Sequence, residues 1–154
     1  MKIKDKVVVV TGAASGIGRG LCYRFAEEKP KGIVVSDYNG EEAAKVAADI
    51  GGLAVTADVG KEEDIKKLVD MTTQQYGPID LFCSNAGIPS EGGAEAPDEV
   101  WQRCWDVHVM AHVYAARAVL PSMIERKSGY LLQTGSAGGL LTTLGQAPYA
   151  VSKH

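Results

Sequence analysis

Five short apolar runs recur along the chain, separated by longer segments that mix apolar and polar residues. The runs are, in chain order, KVVVVTG, GIVVSD, LAVTAD, IDLFCSNAG and GYLLQTGS. They are rich in Val, Ile and Leu and do not alternate with polar residues, which is typical of strands buried on both faces of a parallel sheet. The pattern therefore predicts five parallel strands.

The segments between these runs have the signals of helices. We predict helices over residues 18–28, 41–50, 61–76 and 98–123. A last helix should begin near Pro148, a residue suited to the first helical position. This alternation predicts a doubly wound α/β sheet with right-handed crossovers, in one domain over residues 1–154. In the usual six-stranded order 3-2-1-4-5-6, the strand not found here would lie beside the fifth.

The predicted fourth helix is unusual because its apolar residues do not form one narrow stripe. They are Trp101, Cys104, Trp105, Val107, Val109, Met110, Val113, Tyr114, Val119 and Leu120. A helix that is apolar on most sides is buried on most sides. One face can cover the sheet, and the other meets either a second subunit, which we favour, or a covering loop of the same chain.

Composition and charge exclude several classes of function. Sixteen Lys and Arg stand against nineteen Asp and Glu, so the charge gives no reason to expect a nucleic-acid or anionic-membrane partner. Three scattered Cys indicate a reducing compartment, and no Cys/His cluster has zinc spacing, so we predict no metal site. The apolar run near the N-terminus is too short for a signal peptide or a membrane span. We expect a soluble, cytoplasmic protein.

The first predicted strand runs into a glycine-rich turn. In VVVVTGAASGIGRG, Thr11, Gly12, Gly16 and Gly18 lie between the strand and the first helix. Glycine allows a tight turn and a close backbone approach, and the free N–H groups at a helix start attract a pyrophosphate. The alternative is a tight connection without a ligand. Because the turn follows a strand, opens a helix and precedes an acid, a dinucleotide site is favoured.

That acid is Asp37, at the end of the second strand and nineteen residues after Gly18. A carboxylate there can accept hydrogen bonds from the ribose hydroxyls of adenosine and would repel a 2′-phosphate, which favours NAD over NADP. Asp37 could instead be a helix cap or a loop acid. Arg19 is a counter-signal, since it could pair with a phosphate, but its place at the helix start favours solvent or another acid as its neighbour.

The end of the chain, APYAVSKH, places Tyr149 and Lys153 on one face of the predicted last helix. A free tyrosine ionises only near pH ~10, but a neighbouring ammonium favours the phenolate, so the pair could move a proton. Ser136 lies thirteen residues earlier, after the fifth strand, where its hydroxyl could polarise a substrate oxygen. The alternatives are an ordinary exposed helix face and a turn serine among glycines.

Together these motifs resemble the short-chain dehydrogenase/reductase family, which has a Rossmann fold. The resemblance rests on the turn at residues 11–18, the pair Asp58-Val59, the Ser84-Asn85-Ala86-Gly87 element, and Ser136, Tyr149 and Lys153. It implies that Tyr149 is the acid/base, that Lys153 binds the nicotinamide ribose and favours the ionised Tyr149, and that Ser136 positions the substrate oxygen. The cofactor-binding residues it implies are Gly12, Ser15, Gly16, Ile17, Gly18, Asp37, Asp58, Val59, Asn85, Ala86, Gly87, Tyr149 and Lys153.

The chain departs from the family pattern at three points. Ser84 stands where the family usually has Asn. His108 stands where the family commonly carries a fourth catalytic Asn, so it is either a packed histidine or a catalytic residue. In the second case we expect its ring to bind a water that leads to Lys153, with an ionisation near pH ~6.5. The family's chain also continues further, so we expect these residues to be C-terminally incomplete.

The favoured function is an NAD-dependent oxidoreductase that interconverts an alcohol and a ketone or aldehyde. It would act on a small molecule and form a homodimer or homotetramer in the intact protein. The alternative is a non-catalytic nucleotide-binding or interaction module. A third interpretation is an epimerase or dehydratase of a related extended family, but the spacing of the glycine turn counts against it.

Overall fold

The computed structural model describes residues 1–141 and 144–154, and its centre is a parallel sheet. The strands are β1 Val7–Thr11, β2 Gly32–Asp37, β3 Leu53–Thr56, β4 Leu81–Ser84 and β5 Tyr130–Gln133. They pair in parallel in the order β3-β2-β1-β4-β5, with Val9 opposite both Val34 and Phe82. The five predicted strands and their order are confirmed.

Helices connect the strands and cover both faces of the sheet. They are α1 Gly16–Glu27, α2 Gly40–Ile50, α3 Glu62–Tyr76, α4 Asp98–Trp105, α5 Ala111–Glu125 and α6 Ala147–Lys153. The predicted boundaries hold to within two residues for α1 to α3, and α6 begins one residue before Pro148. Within residues 1–141 and 144–154, no helix is both long and apolar enough to cross a membrane.

The predicted single helix over residues 98–123 is interrupted, so that prediction is wrong in detail. A π-helical turn, Asp106–Met110, joins α4 to α5. A π turn inserts one extra residue into the helix and rotates the residues after it, which explains why the apolar residues fit no single stripe. α6 of the same chain packs against α4 and the π turn and covers part of this surface. A second subunit on the remaining face stays a prediction.

The core has two parts, one on each face of the sheet. Within β1, Val7 and Val9 pack with α3 and α5, whereas Val8 and Val10 pack with α1 and α2. This division explains why the strand is continuously apolar, because both of its faces are buried.

All three thiols are buried and unpaired. Cys22 of α1 and Cys83 of β4 belong to the same core cluster, and burial raises the pKa of each thiol to about 12. Cys104 lies in α4, which packs against the π turn and α6, and it is 0% exposed.

Candidate active site

The carboxyl ends of the central strands open into one cleft of about 810 Å³. Ligands of open α/β sheets bind at this edge, where the connections diverge from a central strand. Except for Gly18 and His108, every predicted site residue lines the cleft. Those residues are Gly12, Ser15, Gly16, Ile17, Asp37, Asp58, Val59, Asn85, Ala86, Gly87, Ser136, Tyr149 and Lys153.

Two glycines allow the turn after β1 to pack tightly. Gly12 has a φ of +62°, and a Cβ atom there would lie 2.7 Å from the Cα of Ala86. A Cβ at Gly18 would overlap the carbonyl oxygen of Gly12 and lie 2.6 Å from the side-chain nitrogen of Asn85. Gly18 therefore does not reach the cleft but brings α1 close against the turn. The N-cap residue of α1, Ser15, makes no side-chain cap bond, so its side chain leaves the first amides of the helix to another partner.

Asn85 and Thr11 fasten this turn to its neighbours. The Asn85 side-chain nitrogen donates to the carbonyl oxygens of Thr11 at 3.1 Å and Gly12 at 3.3 Å, and its oxygen accepts from Thr134 at 2.9 Å. The Thr11 hydroxyl accepts from the amides of Asn85 and Ala86. Asn85 thus lines the cleft with its side-chain amide already engaged, and it shapes the site by holding β1, β4 and β5 together.

Asp37 lies at the cleft end of β2 with one backbone donor on each carboxylate oxygen. Oδ2 accepts from the amide of Ala14 at 3.0 Å, and Oδ1 accepts from the amide of Asn39 at 2.9 Å. A carboxylate has about four acceptor positions, so two remain for hydroxyl groups in the cleft. Asp37 is therefore a loop acid that binds two backbone amides, and it still has a position suited to a ribose.

Asp58 forms an ion pair that the sequence did not predict. Arg103 of α4 donates to both carboxylate oxygens, at 3.1 Å and 2.9 Å, and the amide of Gly60 donates to Oδ1 at 3.0 Å. Burial raises the pKa of Asp58, but the Arg103 and Gly60 hydrogen bonds and the Arg103 charge outweigh it, so the pKa is lowered. Arg103 lies 45 residues from Asp58 and also lines the cleft. Nothing in the local sequence pattern indicates this pairing.

The three residues predicted to be catalytic come together at one end of the cleft. The Tyr149 hydroxyl donates to Ser136 Oγ at 3.0 Å, and Ser136 Oγ also accepts from the amide of Gly138 at 3.1 Å. The Lys153 Nζ lies 5.9 Å from the centre of the Tyr149 ring. Burial lowers the pKa of Lys153. Two separate segments, the 3₁₀ turn Ala137–Gly139 that Ser136 precedes and the helix α6, thus place a hydroxyl pair beside an ammonium.

The contacts of His108 agree with a packed histidine and not with the water-binding catalytic role that we also considered. Its Nε2 accepts from the amide of Ile88 at 3.0 Å and its Nδ1 is 2.7 Å from Ser152 Oγ, so neither ring nitrogen is left for a water that leads to Lys153. With both ring nitrogens bonded and the ring buried, the geometry does not favour the ionisation expected near pH ~6.5. Burial and then the charge of Lys153 lower the pKa of His108 to about 4.

Sequence reasoning also missed Ser90, which acts at the start of α6. The N-cap residue Gln146 makes no side-chain cap bond. Instead Ser90, from the loop after β4, accepts from the amide of Tyr149 at 2.9 Å. This capping serine lies 59 residues away along the chain, so no local capping signal could have indicated it.

The fold and the cleft define the class of protein, a Rossmann-like fold with a Ser-Tyr-Lys cluster at the carboxyl edge of its sheet. The chain belongs to the short-chain dehydrogenase family, whose model matches residues 6–154. The family predicted from the sequence motifs is therefore confirmed.

Two named relatives align with all or nearly all of this chain, but this chain aligns with only part of each relative. It is 37% identical to 1-deoxy-11-beta-hydroxypentalenate dehydrogenase of Streptomyces exfoliatus, over 100% of this chain and 59% of that protein. It is 32% identical to human epidermal retinol dehydrogenase 2, over 98% of this chain and 51% of that protein. The chain thus spans between half and two thirds of the length of these relatives.

A solved structure has the same fold. The short chain dehydrogenase/reductase of Burkholderia phymatum, in complex with NAD, superposes with a TM-score of 0.95 at 26% identity. That similarity covers 100% of this chain and 57% of the Burkholderia chain.

Proposed function

We propose that the protein is an NAD-dependent oxidoreductase that interconverts an alcohol and a ketone or aldehyde, with Tyr149 as the acid/base. The observation that carries the proposal is the Tyr149–Ser136 hydrogen bond of 3.0 Å, which lies beside Lys153 in the same cleft as the glycine turn. The relatives named as dehydrogenases of a hydroxypentalenate and of retinol support an alcohol as the substrate class.

The residues of the cleft fit a dinucleotide. The glycine turn leaves the first amides of α1 without a side-chain cap, which suits a pyrophosphate. Lys153, whose pKa burial lowers, lines the same cleft, and its ammonium could bind the hydroxyls of the nicotinamide ribose. When bound, the cofactor would supply or accept the hydride.

The chain's own residues would handle the proton. Because Ser136 Oγ accepts from both Tyr149 and the amide of Gly138, its own hydrogen is free to bind a substrate oxygen. The Tyr149 hydroxyl would contact the same substrate oxygen, so it can give a proton to a developing alkoxide or take one from an alcohol. Lys153 would stabilise the phenolate that remains, since a cation nearby favours the charged form.

Asp37 supports NAD over NADP. Its two remaining acceptor positions suit the two hydroxyls of an adenosine ribose, and its charge would repel a 2′-phosphate. The structural neighbour from Burkholderia phymatum is in complex with NAD, which agrees with this choice. Asp58 with Val59 would flank the adenine, and Arg103 would hold the Asp58 carboxylate in place.

Exposed apolar residues support self-association, and the free thiols separately support a reducing compartment. Trp105, Leu120 and Ile124 are 47%, 38% and 70% exposed along the long helix of α4 and α5, a surface that a second subunit could cover. The free thiols suit the cytoplasm. We retain a homodimer or homotetramer and a cytoplasmic location as proposals.

The test is a nicotinamide absorbance assay of the full protein with a panel of alcohols and ketones. We expect turnover with at least one secondary alcohol, and Tyr149→Phe should abolish it while NAD still binds. Tyr23→Phe is the matched control, because the Tyr23 hydroxyl is bonded to Asp49 on the surface of α1 and α2, away from the cleft. NAD binding without turnover of any substrate would favour the non-catalytic module, and turnover by Tyr149→Phe would refute the acid/base assignment.

A further inference from the structure

The partners of His108 fix the position of its ring proton. The amide of Ile88 can only donate, so Nε2 must accept, and the hydrogen of the neutral ring is therefore on Nδ1. Nδ1 then donates to Ser152 Oγ at 2.7 Å, and the Ser152 hydroxyl donates to the Tyr149 carbonyl oxygen at 2.9 Å. The result is one continuous series of hydrogen bonds from the loop after β4 to α6.

The ring also contacts α6 at a second point. The His108 and Tyr149 rings meet edge to face, with centroids 5.3 Å apart and planes at 84°. His108 is 3% exposed and lies within the π turn, which widens the helix at the place where α6 packs on it. The π turn therefore presents this ring to both the Ser152 hydroxyl and the side chain of Tyr149.

The helix α6 depends on such external contacts. It has seven residues, and isolated helices of that length are marginal in water. Its polar attachments to the rest of the fold include Ser90, which accepts from the Tyr149 amide, and His108, which binds Ser152. Losing the second attachment leaves the Ser152 hydroxyl, among the residues that the structure describes, with its bond to the Tyr149 carbonyl inside the same helix.

We propose that His108, as its Nδ1–H tautomer, is a positioning residue that orients α6 through Ser152 and thereby sets the positions of Tyr149 and Lys153. The consequence for turnover rests on the proposed function, but the structural role does not. An imidazole suits this role because its donor and acceptor lie on different sides of the ring and reach two separate segments. An Asn carries its donor and its acceptor at the end of one shorter side chain, so it would reach only one of the two segments.

The experiment compares Ser152→Ala and His108→Asn with wild type in the full chain, with Ser122→Ala as the matched control. Ser122 is exposed on α5, and within residues 1–141 and 144–154 its hydroxyl bonds to Arg126 at the end of the same helix. The ring ¹⁵N shifts of His108 report the tautomer, and amide hydrogen exchange reports the attachment of α6. Where turnover is found, kcat and the Kd for NAD are measured on the same samples.

We expect ring shifts of an Nδ1–H imidazole in wild type, and amide exchange in α6 about tenfold faster in Ser152→Ala, as the loss of one buried hydrogen bond implies. We expect kcat to fall about 10- to 100-fold in both site variants with little change in the Kd for NAD, since small misplacements of reacting groups are costly. Ser122→Ala should match wild type.

An Nε2–H tautomer, or unchanged α6 exchange in Ser152→Ala, would overturn the proposal. So would an unchanged kcat in both variants of a protein that turns over substrate. If no variant, including wild type, turns over any substrate, the proposed function fails, while the ring shifts and amide exchange still decide whether His108 orients α6.

Discussion

The strongest quantitative expectation concerns the stability of the fold in mild acid. Burial and the charge of Lys153 lower the pKa of His108 from 6.5 to about 4, so the ring stays neutral in the folded state. In the unfolded chain the same ring takes up a proton as the pH falls through about 6.5. The unfolded state then binds more protons, and the free energy of unfolding falls between pH 6.5 and pH 4. Above that window His108 makes no pH-dependent contribution.

The size of the effect comes from the shift. At about 1.4 kcal/mol per pH unit, the full shift is worth about 3 kcal/mol, and about 2 kcal/mol of it should be lost at pH ~5. That is a large fraction of the ~5–15 kcal/mol that stabilises a typical domain. Burial also lowers the pKa of His112, which adds a loss of the same sign. The wild-type slope alone therefore does not isolate His108.

The assay is urea unfolding of wild type and His108→Asn at pH ~7.5 and pH ~5. We expect wild type to lose about 2 kcal/mol more than the variant between these two values, because only wild type can protonate this ring on unfolding. The pKa of Asp58 is lowered, so its ion pair with Arg103 persists at the lower pH and does not contribute to the difference. Equal losses in the two proteins would refute the reasoning, as would a directly measured pKa of His108 above 6.

Three further changes test other parts of the site. Asp37→Ala should narrow the preference for NAD over NADP in titrations, and equal or tighter NADP binding by wild type would contradict the role of Asp37. Gly12→Ala should lower the free energy of unfolding by more than ~1 kcal/mol, because φ is +62° and the new methyl would meet Ala86; unchanged denaturant midpoints would count against it. Arg103→Met should weaken NAD binding several-fold and raise the pKa of Asp58, and the exposed Arg24→Met should do neither. Equal NAD affinity in both variants would show that Arg103 does not support the adenine end.

The fold could be predicted because its signals are local. The four consecutive valines of β1 indicate a strand buried on both faces, and the glycine turn comes directly after them. Strand and helix order then fix the topology through the handedness of the crossovers. The π turn could not be predicted, because its sequence is compatible with an ordinary α-helix and only packing decides the geometry.

The sequence motifs indicated residues that the structure brings together in one cleft, but not the contacts that hold them there. Ser136, Tyr149 and Lys153 stand in recognisable motifs, and the structure gathers them in one cleft. Arg103 and Ser90 act through tertiary contacts that span 45 and 59 residues, so no spacing rule indicates them. The sequence could not show that both ring nitrogens of His108 already have hydrogen-bond partners, so it also allowed the hypothesis that the ring binds a water.

The burial of the three thiols has a consequence for how this protein can be followed in solution. A thiol whose pKa is about 12 holds only about one part in ten thousand as thiolate near pH 8, and thiolate is the form that reacts. Alkylating reagents can therefore modify Cys22 and Cys83 only when the layer of α1 and α2 lifts off the sheet. Cys104, which is 0% exposed in α4, can be modified only when the packing around α4 opens. The chain thus carries built-in reporters in two parts of its fold, and their rates of labelling measure how often each part opens.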